Sequence, residues 1–513
     1  MKIVFTLLLS VLTMIAVYSQ DNAKAEMPGE TQPDIELSRI GDGGGVFQDD
    51  LRTVGDQNIL ITRALECFAV WEPANGRRLL DSLLAEDCLN VQANYLRSEL
   101  YILYGDTSFT RGVRRLREAG AEKELTILRV KEGLLIGDPD AVTLAGEALQ
   151  IYPGNAELEF ALWLHNIDHG GFREAAGTAH SLSTRLIFPH LPYQALFDYA
   201  SDFDPVTALA YLDTLEAMVG SVYHSRNREL LELLSTLEQE TSAPGEYELE
   251  YADCGPGMGF YMTAANGSRI KVELDTGTGG GLFTIHSDST GKALGGIDTL
   301  TVPEGIWYNY MAGPEDMHYS VTAFRDPPIK NFLTGYFKGR FSKADGCFSP
   351  FIFKGYALSI DPVNRSAYLR NRESLDNYLN SLKDYTEVDY ILRNGWIYIP
   401  VKVNGKEVVM MVETGSRYVN LNSIAAKRLG VTPYSGTIKW RGEDYPVEMI
   451  DFNLEIGNIE HYVKGGMISD FVLGNTYVGL ASAGDIGPDF LRNYAFTIDP
   501  FRKKLILEVR DEK

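Results

Sequence analysis

Two acidic turns in this chain share one spelling: Asp275-Thr276-Gly277-Thr278 and Glu413-Thr414-Gly415-Ser416, 138 positions apart. Each follows an apolar run, Lys271-Val272-Glu273-Leu274 in the first case and Val408-Val409-Met410-Met411-Val412 in the second. A carboxyl group takes up and releases protons, so two of them facing one another can supply a general base and a general acid together. Held close, they cannot both ionise cheaply. They share a proton and titrate as a coupled pair. Asp275 and Glu413 are therefore the candidate catalytic residues, with Thr276, Gly277, Thr278, Thr414, Gly415 and Ser416 as the loops that support them.

The elements needed to position such a pair repeat at the same interval. Asn266-Gly267 returns as Asn404-Gly405, Pro350 as Pro488, and Tyr356-Ala357-Leu358-Ser359-Ile360-Asp361-Pro362 as Tyr494-Ala495-Phe496-Thr497-Ile498-Asp499-Pro500, each displaced by 138. One offset held across so many anchors marks a duplicated unit. Each copy reads as a hairpin turn at Asn-Gly, an apolar strand, an acidic loop and a closing strand ending in Ile-Asp-Pro. Between the copies, Leu375, Tyr378, Leu379 and Leu382 have a helical period, which predicts a connecting helix over 371–391.

Upstream the periodicity changes. From about residue 55 to 240 apolar residues recur at helical spacing, as in Leu79, Leu80, Leu83 and Leu84 or Leu230, Leu231, Leu233, Leu234 and Leu237. Thr241 to Gly245, with Ser-Ala-Pro-Gly, marks a linker into the strand-rich part. At the start, Lys2, the apolar run Ile3 to Val17 and Tyr18-Ser19-Gln20 have the order of a secretory signal peptide, and the run is short for a membrane span. A polar, Gly- and Pro-containing tether follows. The expected organisation is a signal peptide at 1–19, a flexible linker at 20–50, a helical repeat domain at 51–242, a first β lobe at 250–370, the connecting helix at 371–391 and a second β lobe at 392–510.

Export gives the four cysteines a meaning. Two local disulfides, Cys67–Cys88 and Cys254–Cys347, fit an oxidising compartment, with four buried free thiols as the alternative. The net charge of −23 argues against nucleic acid, which rewards basic patches. No cofactor is implied, and no lipid-anchor cysteine stands near the cleavage region.

The second acidic turn, with the preceding apolar strand, Val419, Leu421 and the segment Ala425-Ala426-Lys427-Arg428-Leu429-Gly430, resembles the lobe of retropepsin-like aspartic proteases. Gly484-Asp485-Ile486-Gly487-Pro488-Asp489-Phe490-Leu491 resembles that family's closing turn, and Gly346-Cys347-Phe348-Ser349-Pro350-Phe351 stands at the same place in the first copy. Glu413 departs from the family, which has Asp there, and Gly279-Gly280-Gly281 is a second departure. The resemblance implies a pepsin-like pair of retropepsin-type β-barrel lobes in one chain, Asp275 and Glu413 on the floor of a cleft, and a flap, for which Trp307-Tyr308-Asn309-Tyr310 and Gly313-Pro314 are the candidate segment. It implies that Thr276 and Thr414 bond across to the opposite loop. Gly277 and Gly415 let backbone amides approach the carboxylates.

In the helical part, Ala141, Ala145, Ala148, Pro153, Ala156 to His165, Gly170-Gly171-Phe172 and Ala175 resemble a tetratricopeptide unit, and Pro153 and Pro189 are 36 apart. Such arrays bind peptides or proteins on a concave face, and a purely structural platform is the alternative. Competing chemistry is thin. His165 and His169 lack the intervening Glu of a zinc protease, the Gly-rich stretch after Asp275 lacks a phosphate-loop Lys, and there is no Gly-x-Ser-x-Gly elbow. The expectation is a multidomain α plus all-β protein, secreted or periplasmic, acting on extended polypeptide. It leaves two alternatives open, a working aspartic endopeptidase and a lobe pair that binds peptide without cutting.

Overall fold

A computed structural model describes residues 58–509 apart from 70–72, 105–108, 136–137, 169–170, 202–203, 220–224, 238–239, 242, 256, 265–266, 279–282, 286–298, 303–316, 337–343, 394, 441–442 and 470–481. The expected signal peptide, the expected 20–50 linker and the candidate flap segment lie outside the described residues, as does His169.

The first part is helical: α1 (Asn58–Ala69), α2 (Pro73–Glu86), α3 (Val91–Tyr104), α4 (Phe109–Glu118), α5 (Glu122–Leu135), α6 (Pro139–Ile151), α7 (Ala156–Asp168), α8 (Phe172–Ser183), α9 (Leu191–Ser201), α10 (Pro205–Val219) and α11 (Ser225–Thr236). The local logic is plain in α6. Asp138 caps it by accepting from the Asp140 amide, Pro139 takes the first turn, and Ala141, Ala145 and Ala148 bury one small-residue face. Consecutive helices pack as hairpins, and α5 also packs on both α3 and α7. Lys131 on α5 pins that stack, reaching Glu99 on α3 and Glu157 on α7 at 2.6 Å each. Among the described residues no helix is long and apolar enough to cross a membrane.

The strands follow: β1 (Glu240–Thr241), β2 (Glu246–Cys254), β3 (Gly257–Ala264), β4 (Arg269–Leu274), β5 (Phe283–Ile285), β6 (Thr299–Val302), β7 (Met317–Asp326), β8 (Pro328–Tyr336), β9 (Gly346–Phe348), β10 (Ala357–Asp361) and β11 (Ser366–Arg370). After α12 (Arg372–Ser381) come β12 (Tyr385–Asp389), β13 (Ile391–Arg393), β14 (Trp396–Val403), β15 (Lys406–Val412), β16 (Val419–Leu421), α13 (Ser423–Leu429), β17 (Tyr434–Trp440), β18 (Glu443–Ile456), β19 (Ile459–Ile468), β20 (Gly484–Ile486), α14 (Pro488–Leu491), β21 (Ala495–Asp499) and β22 (Lys504–Glu508). The segment expected to be wholly helical at 371–391 is helix only over α12. Its second half becomes β12, because Thr386 and Val388 alternate inward and β22 offers an edge to pair with.

The two copies have one topology. In the first, the sheet runs β3-β4-β9-β5-β8-β7-β6, and in the second β14-β15-β20-β16-β19-β18-β17, with an added contact of β3 to β7 and of β14 to β18. Beneath them a shared sheet runs β12-β22-β21-β10-β11-β2, taking strands from both copies. The Asn404-Gly405 turn joins β14 to β15 with φ of 50° and 77°, and Val403 pairs with Lys406 across it. Positive φ at both central residues is what this hairpin requires, and Asn-Gly adopts it at low cost. One continuous core joins both lobes, from Phe260 and Phe348 to Phe452, Phe490 and Phe496.

The helices are attached to the second lobe. Ile424 of α13 lies in the helical core, and Arg428 forms an ion pair with Asp138 at 2.5 Å.

The two disulfides expected from the sequence are not formed. Cys254 lies on β2 and Cys347 on β9, with β3 and β4 between them in the strand order. Cys254 instead rests its sulfur on the Val272 carbonyl, and burial pushes its thiol up to about 12. Cys67 is half-buried on α1, whereas Cys88 is exposed beyond the end of α2.

Candidate active site

Each acidic turn leaves its strand in the same way. The Asp275 amide donates to the Phe348 carbonyl and the Glu413 amide to the Ile486 carbonyl, both at 3.0 Å, so the closing strand of each copy holds its acid. The next residues tie the copies together. Thr276 Oγ1 donates to the Val412 carbonyl at 2.6 Å and accepts from the Thr414 amide at 2.9 Å. Thr414 Oγ1 donates to the Leu274 carbonyl at 2.9 Å and accepts from the Thr276 amide at 3.0 Å. Both threonines are fully buried, so each donor and acceptor must find a partner inside the protein. The arrangement expected for Thr276 and Thr414 is the one found.

The two carboxyl groups come together over this junction. Gly277 N–H donates to Asp275 Oδ1 at 2.9 Å, and Gly415 N–H to Glu413 Oε1 at 2.8 Å. Each acid also lies over the opposite glycine. A Cβ at Gly277 would stand 1.8 Å from Glu413 Oε2, and one at Gly415 would stand 2.7 Å from Asp275 Oδ1. Both glycines are therefore required by close approach. The extra methylene of Glu413 carries its carboxyl further over the partner turn than Asp275 reaches in return.

Glu413 is buried and Asp275 half-buried. Burial, then the Asp275 charge and a side-chain hydrogen bond with Asp275, push the Glu413 carboxyl well above the usual range. The charge of Asp485 acts in the same direction, while the Gly415 amide opposes it. One acid that holds its proton beside another is the arrangement that acid–base work requires. Thr278 ends the short helical turn Thr276–Thr278, and Ser416 bonds Asp485.

Three residues of this neighbourhood escaped the sequence reading as site residues. Trp396 Nε1 donates to the Gly277 carbonyl at 2.7 Å, bracing the first turn from the second lobe. Asp485 sits 2 % exposed on β20, and Asn420 Nδ2 donates to its Oδ2 at 2.8 Å. Burial pushes the Asp485 carboxyl up to about 7, against the hydrogen bonds from Asn420 and Ser416. The signal for Asp485 was present: its counterpart 138 positions earlier is Cys347, an uncharged side chain. Among the described residues no group of His, Cys, Asp and Glu could hold a metal ion.

Residues 399–455, from β14 into β18, match the aspartyl protease family. No curated protein matches the chain. Among solved structures 262 chains match, including the aspartic proteinase from Irpex lacteus at a TM-score of 0.33 and 10% identity, over 52% of this chain and 98% of that one. Residues 399–455, in the second lobe, are thus similar to the aspartyl protease family.

Proposed function

We propose that this protein is an exported aspartic endopeptidase that hydrolyses extended polypeptide with Asp275 and Glu413. The observation that carries the reading is the reciprocal set of bonds between Thr276 and Thr414, which brings two acids from two copies of one unit against each other. Because Glu413 holds a proton, it serves as the acid that protonates the leaving amine, and Asp275 serves as the base that takes a proton from the attacking water. The substrate lies extended between two retropepsin-type barrel lobes, held by backbone hydrogen bonds. The helical part is a tetratricopeptide-like array that receives a protein partner. Supporting this, α5, α7 and α9 begin at Glu122, Ala156 and Leu191, 34 and 35 residues apart.

The test is cleavage of an unfolded polypeptide by the purified chain across the acidic to near-neutral range. A fully protonated pair lacks the base and a fully ionised pair lacks the acid, so the rate should be bell-shaped in pH. Asp275→Asn and Glu413→Gln should each abolish it. The second reading, a peptide-binding pair of lobes without cleavage, is favoured by the greater reach of Glu413 over Gly277. No cleavage by the natural chain at any pH, with activity gained in Glu413→Asp, would establish it.

A further inference from the structure

One indole reaches the floor of the acid pair from the opposite lobe. Trp396 opens β14, and because Ile397 faces Val412 on β15, it stands level with Glu413 where the two strands part. The residue is buried in a small apolar cluster with Tyr398 and Met411, against which Ile391 and Val409 pack. From that seat Nε1 crosses to the first lobe and donates to the Gly277 carbonyl at 2.7 Å. The pair converges on Gly277: its N–H bonds Asp275 Oδ1 at 2.9 Å, and Glu413 Oε2 fills the place that a Cβ would take. The N–H and C=O of one residue belong to the two peptide planes on either side of its Cα. With one plane tied to Asp275 and the other to Trp396, both backbone angles are held at a residue type that otherwise rotates freely.

The brace runs one way. In the first copy Gly259 faces Glu273 on β4, so Gly257 stands level with Asp275, and a Cβ there would run into Glu273 Oε1. Neither Gly257 nor Met258, which lies 138 positions before Trp396, has a side-chain N–H.

We propose that Trp396 is a positioning residue for the acid pair: its indole N–H, carried by the second lobe, locks the Gly277 turn of the first, and so fixes where Asp275 and Glu413 stand relative to each other. The kinetic consequence rests on the peptidase reading; the bracing itself does not.

The experiment compares the full natural chain with Trp396→Phe, which keeps an aromatic ring in the cluster and removes the donor. With heavy carbon in the threonine carbonyls and heavy nitrogen in the glycines, NMR selects the amides of Thr-Gly pairs, Gly277 and Gly415 among them. The two are assigned by the signals lost in Thr276→Ser and Thr414→Ser. Hydrogen exchange at the Gly277 amide should quicken on the order of tenfold in Trp396→Phe, while Gly415 exchanges as before. General loosening of the fold would quicken both. Equal quickening at both amides, or an unchanged Gly277, overturns the proposal. Where the chain cleaves polypeptide, kcat should fall on the order of tenfold with KM unchanged, because the displaced groups are the reacting ones. An unchanged kcat beside a loosened Gly277 overturns the positioning role. Should Trp396→Phe not fold, benzothienylalanine at position 396, which has the shape of the indole with sulfur in place of N–H, makes the same comparison. Absence of cleavage in every form counts against the peptidase reading alone, and the exchange pattern still decides the bracing.

Discussion

Thr497 Oγ1 donates to Ser359 Oγ at 2.8 Å, and the two residues are separated by 138 positions, the interval that also separates Thr276 from Thr414. Around Ser359 and Thr497 the register is reciprocal: Leu358 faces Ile498, and Ile360 faces Phe496. Two copies that meet on equivalent residues are related by an approximate twofold axis. That axis runs through the shared sheet at Ser359 and Thr497 and through the acid turns at Thr276 and Thr414. Strands β10 and β21, far from the acids in sequence, therefore set how the acids face one another.

The threonine junction should behave as one unit. Thr276→Val and Thr414→Val each leave buried amides and carbonyls without partners, at a cost of about 1–3 kcal/mol each. Each hydroxyl makes two of the four bonds and the two hydroxyls meet at 3.4 Å in one network, so the double variant should lose less than the sum of the singles. Chemical denaturation of the four chains of the cycle measures this, and additive losses would show the two turns to be independent.

Gly277→Ala should be the more damaging of the two glycine substitutions. Its methyl group would meet Glu413 Oε2 at 1.8 Å, where Gly415→Ala would meet Asp275 Oδ1 at 2.7 Å. Cleavage rate and melting temperature should both fall further in Gly277→Ala. Equal effects would mean that the Glu413 side chain can swing aside freely.

Glu413→Asp shortens the acid by one methylene and withdraws its carboxyl by ~1.5 Å from a site where it already bonds the Gly415 amide at 2.8 Å. The natural geometry is fitted to the longer acid, so cleavage should slow by on the order of 10²-fold. Faster cleavage by the variant would show that Glu413 is a handicap.

Stability should fall as pH rises from about 4 to about 7. The Asp485 carboxyl moves from 3.8 to about 7 on folding, so below its unfolded value both states hold the proton and its contribution to stability is fully present. Between the two values the unfolded chain has released a proton that the native chain retains, and that contribution is lost. Its size is on the order of 4 kcal/mol at 1.36 kcal/mol per unit. Glu413, also raised, acts in the same sense. Urea midpoints should decline across this window in the natural chain and decline less in Asp485→Asn; parallel slopes would contradict the assignment.

The helical part should depend on the second lobe. Ile424 completes its core, so Ile424→Ala should cost about 2–5 kcal/mol and a fragment of residues 58–236 should unfold at lower denaturant than the same helices in the full chain. An equally stable fragment that retains a partner would favour an independent binding array.

The sequence by itself determined that there are two copies, where their acid turns fall, and that helices precede strands. Those features are local: a constant offset, hairpin chemistry at Asn404-Gly405 and the period of apolar residues are all written along the chain. The Asp-initiated hairpin at Asp499 is equally local, since its carboxylate accepts from the Phe501 amide two residues on at 2.8 Å. Tertiary structure decided the rest. Whether residues 385–389 became helix or strand depended on a free edge at β22. Asp485 reads as an ordinary acid until folding buries it behind Glu413, because a carboxyl's protonation is set by the solvent and charges around it and not by its neighbours in sequence.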